Sequence, residues 1–186
     1  MTIATNGPGD VTLGTEDRAA AVADVKALLR IATDDEDALI AAFVETALAL
    51  AERFTGRVTI ARTMTATVPA TAAWQALGAM PVASIGAVGD ADGAPLAADA
   101  YRIDIDADGR GWVRVLDAGG DTLAQVTLNA GTAADWPSLP APMRQGAILL
   151  AAHLFVERDA VTPPPAAVTA LWRPFRMMRL DAAVRP

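Results

Sequence analysis

The 186-residue chain has no cysteine, a single histidine (His153) and a single tyrosine (Tyr101), and aromatics make up only 5% of it. Without thiols there are no disulfides, thiolate nucleophiles, zinc–thiolate sites or iron–sulfur clusters. One histidine leaves a histidine-based metal site within one subunit short of ligands. No apolar run approaches the roughly 18 residues of a membrane span, and the opening MTIATNGPGD lacks the basic and apolar blocks of a secretory signal. The sequence therefore predicts a soluble protein made in the cytoplasm. Large apolar side chains are scarce as well. Alanine swells the 53% hydrophobic share, and small side chains suit close helix packing around a modest sheet.

What is present is acid, unevenly placed. The net charge is -7, yet residues 171–186 hold Arg173, Arg176, Arg179 and Arg185 against one acid, Asp181. Such asymmetry predicts a tail that meets a different surface from the body. The acidic remainder argues against tight DNA binding, which needs a clustered basic face to neutralise phosphates.

A chain of this length is expected to form one domain. Residues 1–14, with Gly7, Pro8, Gly9 and Gly14, read as a flexible lead-in. Over 15–57 two helices are predicted. In the first, Val22, Val25, Leu28 and Leu29 share a face. In the second, Thr33 and Glu36 have capping-box spacing, and Ile40, Phe43, Val44, Ala47, Leu48, Ala51 and Phe54 form a stripe that Gly56 stops. Residues 58–130 change period: strands are expected at 58–68, 82–88, 101–106, 112–116 and 123–129, between Gly, Asp and Pro turns. Helices resume over 140–172, one from about Ala141 to Asp159 and a second led by Pro165 that Pro174 ends or kinks. Residues 173–186 remain as a tail. The fold class is α+β: about four helices with a small antiparallel sheet inserted between the second and third long helices.

Few constellations carry chemistry. Asp104, Asp106, Asp108 and Gly109 spell DIDADG, the opening of a calcium loop, but the twelfth position is Val115 instead of glutamate. Tyr101, Ile103 and Ile105 alternate with polar residues and Asp108-Gly109 suits a tight turn, so a hairpin is expected there. A small calcium-binding or carboxylate-dependent enzyme domain built on Asp104, Asp106 and Asp108 is the competing reading. The acids of DDED, 34–37, fit helix-dipole partners and caps. His153, four residues before Glu157, has no evident nucleophile or metal and reads as a helix-surface or interface residue. In LWRPFRMMRL, residues 171–180, aromatic, sulfur and arginine side chains alternate, the types enriched in interface cores. Such a segment either folds back on the core or docks on a partner.

The order of these pieces resembles the head-to-tail connector (adaptor) proteins of long-tailed phages and phage-like gene transfer agents. VKALLRIATDDEDALIAAFVETALALAERFTGR, 25–57, is similar to that family's opening: a short helix ending in LR-I, an acidic step, a long helix and a TGR stop. MPVASIGAV and GDADG stand where the family carries a Pro-Val strand and an Asp-Gly turn. PAPMRQGAILLAAHLFVERDA resembles its last long helix, and ALWRPFR its terminal L-x-P-[YF]-R. Phe155 replaces a frequent tyrosine, ERD an NRE-like run, and MM stands where arginine is common. The resemblance implies a non-enzymatic structural protein without cofactors, in the neck of a virion or gene-transfer-agent particle and in the host cytoplasm during assembly. Its copies form a ring, typically a dodecamer, that joins the portal of the DNA-filled head to the stopper or tail-terminator protein. Double-stranded DNA passes through without sequence-specific binding, and no membrane is involved. The family's C-terminal segment commonly attaches to the portal, so the matching Leu171, Trp172, Arg173, Phe175, Arg176, Met177, Met178, Arg179 and Leu180 are the expected docking residues.

Overall fold

A computed structural model describes residues 3–5 (backbone only), 7–157 and 162–177. The elements run β1 (Ile3–Thr5), α1 (Thr15–Leu29), α2 (Asp37–Thr55), β2 (Arg62–Pro69), β3 (Gln75–Ala76), β4 (Val82–Gly89), β5 (Tyr101–Ile105), β6 (Gly111–Val115), β7 (Leu123–Ala130), α3 (Ala141–Val156) and α4 (Ala166–Trp172), followed by a 3-10 turn, Arg173–Phe175. The α+β class and the four helices agree with the sequence reading. The chain divides into two compact units: a helical one, residues 9–60 and 133–177, and a β unit built on 61–132 with the N-terminal strand.

In the helical unit the stripe of α2 is buried at Ile40, Val44, Ala47, Leu48 and Ala51, and meets Ala147, Ile148, Leu150 and Ala151 of α3 in one core. Helix α1 adds Ala21, Val22 and Val25, while Leu28, expected on the same face, is exposed. The buried row steps by four residues from Ala21 through Val25 toward Leu29, which puts Leu28 on the flank. α2 starts at Asp37 with Glu36 as its cap residue and no side-chain bond at that cap, three residues beyond the Thr33 cap expected from the sequence. Lys26 of α1 instead donates to Asp34 Oδ1 at 2.6 Å and to Asp37 Oδ1 at 2.8 Å. These hydrogen bonds, that to Asp34 first, raise the Lys26 ammonium above its ordinary pKa, and the bond from Lys26 holds Asp34 below the usual aspartate value.

Two polar groups tie loops to this core. Trp136 is buried, its backbone N–H donating to Asp17 Oδ1 (2.7 Å) and its indole to Asp24 Oδ2 (2.9 Å), both on α1. Glu52 is fully buried in α2 and accepts from Gly9 N (2.7 Å), Thr59 N (2.8 Å) and Thr59 Oγ1 (2.8 Å). The lead-in expected to be flexible is therefore held at Gly9, and again at Leu13, whose N–H donates to Glu45 Oε1.

The β unit holds two antiparallel sheets, ordered β1-β2-β7-β4 and β3-β6-β5. Strand β1, which lacks an alternating signature in the sequence, pairs Ile3 with Thr67 on β2. The strand expected from Val58 begins only at Arg62. Val58, Thr59 and Ile60 are buried in the helical unit, where Ile60 bridges Ala133. Alternation is clean on β2, β6 and β7: Met64, Ala66 and Val68, Val113 and Val115, and Ala124, Val126 and Leu128 point inward.

Candidate docking site

Of the nine residues expected to dock, Leu171 to Met177 are described; Met178, Arg179 and Leu180 lie outside the described residues. Helix α4 ends at Trp172, and Pro174 sits in the 3-10 turn, after which Arg176 is extended. Over the described residues the expected helix end at Pro174 is met, with a 3-10 turn between the helix and the extended Arg176. Proline has no N–H to continue the helical ladder, so α4 gives way to the 3-10 turn, in which Arg173 keeps right-handed helical angles.

The side chains divide by role. Trp172 is 3% exposed and belongs to the core. Its indole N–H donates to the Met143 carbonyl at 3.2 Å, and its ring lies 6.2 Å from that of Phe54 at 48°. Gly146 makes the seat possible, because a Cβ there would collide with the indole nitrogen. Leu171 is half-buried beside it. The segment then runs along the C-terminal end of α2. The Phe175 carbonyl accepts from Arg57 Nε at 3.2 Å, and Met177 N donates to the Thr55 carbonyl at 2.9 Å. Gly56, at φ 73°, is the left-handed cap that turns the chain away at this point. The Arg176 guanidinium sits 5.6 Å over the Phe54 ring. Arg173 and Arg176 are exposed, and Phe175 and Met177 half-buried. The structure thus spends Trp172 on the chain's own core and leaves the arginines, with one edge of Phe175 and Met177, facing outward.

The competing carboxylate constellation is not gathered as a site. Residues 101–105 and 111–115 form the expected hairpin, and Asp106 organises its turn. Its Oδ1 accepts from the N–H of Asp108 (3.0 Å) and of Arg110 (2.9 Å), and its Oδ2 from the Trp112 indole (3.0 Å). Among the described residues no group of three or more His, Asp and Glu side chains is placed to hold a metal ion. His153 is within 3.1 Å of the Thr162 carbonyl, and Thr162 Oγ1 donates to Glu157 Oε2, so the residue joins the end of α3 to the stretch before α4. The sequence reading missed Glu52, Trp136 and Gly146. A glutamate inside an apolar helical stripe and a glycine inside a helix were the available signals.

The described residues thus comprise a helical core, an inserted β unit and a C-terminal segment fastened to the end of α2. Residues 19–77 match the sequence model of the phage gp6-like head-tail connector protein family. Three solved structures are similar throughout. The neck of an empty gene transfer agent particle, computed with C6 symmetry, matches at a TM-score of 0.70 and 27% identity, with all of both chains covered. The virion of a native gene transfer agent particle matches at 0.68 and 27%, again over all of both chains. The neck of a native particle, computed with C12 symmetry, matches at 0.64 and 26%, over 94% of this chain and 98% of that one. Among curated proteins none matches. The resemblance to the head-to-tail connectors of phages and gene transfer agents is thereby shown.

Proposed function

We propose that this protein is a structural connector in the neck of a virion or gene-transfer-agent particle, where copies of it form a ring between the portal of the DNA-filled head and the stopper or tail protein. The observation that carries the reading is the similarity, over the whole of both chains, to a protein in a gene transfer agent neck computed with C6 symmetry. No described helix is long and apolar enough to cross a membrane. In this reading the protein works by shape and has no catalytic role. Its net charge of -7 suits a wall past which DNA must slide, because a basic channel would hold phosphates.

The portal contact falls to Arg173, Phe175, Arg176 and Met177, continued by Met178, Arg179 and Leu180, with Leu171 and Trp172 as the internal fastening of the segment's base. Each copy makes a small contact, and a ring repeats it, so avidity supplies the strength that one segment lacks. Arginine pairs in a bidentate manner with carboxylates, which suits acidic groups on the portal. The test is to replace Arg173 and Arg176 with glutamate, or to remove residues 178–186, and image the particles. Full heads without tails, made by a chain whose melting temperature is nearly unchanged, are expected. Full heads that still carry tails overturn the docking assignment.

A further inference from the structure

The outer face of the three-stranded sheet carries two arginine–indole stacks. In the β5–β6 register Arg102 stands directly opposite Arg114, and Asp104 opposite Trp112. Directly opposed residues share a face, with Cβ atoms about 5 Å apart, and like charges so placed destabilise a sheet. Each guanidinium is turned to a neighbour of its own. That of Arg114 lies 5.0 Å from the centre of the Trp74 ring. Arg102, which is exposed, donates to the carbonyls of Asp99 (3.1 Å) and Tyr101 (2.6 Å). Arg114 Nε is buried and has no hydrogen-bond partner, a further cost to the isolated fold. On the same hairpin Arg110 lies 5.9 Å from the Trp112 ring centre. A pair of directly opposed arginines, one of them exposed, is explained when another molecule supplies the negative charge.

The same unit carries a complementary surface. The turn after β4 and the turn between β6 and β7 are joined by the Ala91 N–H, which donates to Asp121 Oδ2 at 3.1 Å. Together they bring Asp90, Asp92 and Asp121 to one corner, and the last two are exposed. We propose that the Arg102–Arg114 face is a contact between copies of this chain, and that its occupant is this acidic corner of a second copy. The inference rests on the ring reading above and assigns it an interface. Two different patches on one unit make a head-to-tail contact, the kind that closes into a ring. Carboxylates fit the guanidinium fork, and an arginine stacked on an indole keeps its N–H edge free to pair. DNA is the poorer occupant, because a long polyanion laid on this face also meets the acidic corner of the same unit and is repelled there.

The test uses the full-length chain and sedimentation at graded concentration, with a melting curve for each variant. Arg102→Glu and Asp92→Arg, both at exposed positions, should each weaken self-association by about tenfold or more, and combining the two should restore most of it. Because the chain contains no cysteine, Arg102→Cys with Asp92→Cys should give a ladder of disulfide-linked oligomers on mild oxidation. Rings that form equally well with both single charge reversals overturn this interface and leave the ring reading standing. A parent chain that never self-associates, alone or in the neck, overturns both. Retention of duplex DNA that disappears with Arg102→Glu makes phosphate the occupant and overturns the contact between copies.

Discussion

At the scale of single residues, stability rests on a few buried polar and aromatic groups. Glu52 satisfies three donors where water does not reach. Removing a partner from a buried donor costs about 1–3 kcal/mol, so Glu52→Ala should lower the unfolding free energy by roughly 3 kcal/mol or more, measured by urea denaturation; a loss below about 1 kcal/mol would contradict the role. Gly146 sets two effects against each other. Glycine to alanine inside a helix gains about 1 kcal/mol in propensity, whereas a methyl driven into a rigid, buried indole costs about 1–3 kcal/mol. Because Trp172 is pinned between Met143 and Phe54, the clash wins, and Gly146→Ala should destabilise. Trp172→Ala removes the ring itself and should cost about 3–5 kcal/mol. For this reason a deletion beginning at residue 171 would confuse misfolding with lost docking.

At the scale of elements, the β5–β6 hairpin shows how a local motif can be read two ways. DIDADG looks like a cation loop until the destination of each Asp106 oxygen is known. Burial disfavours the charged form of Asp106, but the Trp112 indole, the backbone N–H groups of Arg110 and Asp108 and the Arg110 charge together outweigh it. Its carboxyl is held below the ordinary aspartate value of 3.8. The folded value is the lower one, so the stabilisation is complete above the unfolded value and is lost as pH falls through the folded one. Melting curves should lose stability below about pH 4, and Asp106→Asn should reduce that acid-dependent loss. An unchanged pH profile in the variant would place the dependence elsewhere. α2, β2 and β7 were legible because period and burial agree along them, and α3 because a long apolar run between Pro140 and the TPPPAA stretch is buried on most sides. β1 and β3 were not, since strands of three and two residues carry no period and are made by their partners β2 and β6. The start of α2 moved from the expected Thr33 cap to Glu36, beside Asp34 and Asp37, which a lysine from another helix holds; a local rule does not include such a contact.

At the scale of the whole molecule, the proposed connector role places function on surfaces, and its two tests separate them. Charge reversal at Arg173 and Arg176 should uncouple heads from tails, and charge reversal at Arg102 should uncouple copies from one another. What the sequence determined by itself was local or summed: the helix and strand periods, the proline stop at 174, the acidic body and basic end, the missing thiols and the ordered set of segments that resembles the connectors. These follow from neighbouring residues and from composition, which no fold can alter. Only the tertiary structure decided which member of LWRPFRMMRL is core and which faces outward. Trp172 finds its hydrogen-bond acceptor 29 residues away, and the Phe175 carbonyl is held by an arginine 118 residues away. A side chain's burial is set by what packs against it in space, and partners that distant along the chain leave no periodic mark near the residue they cover.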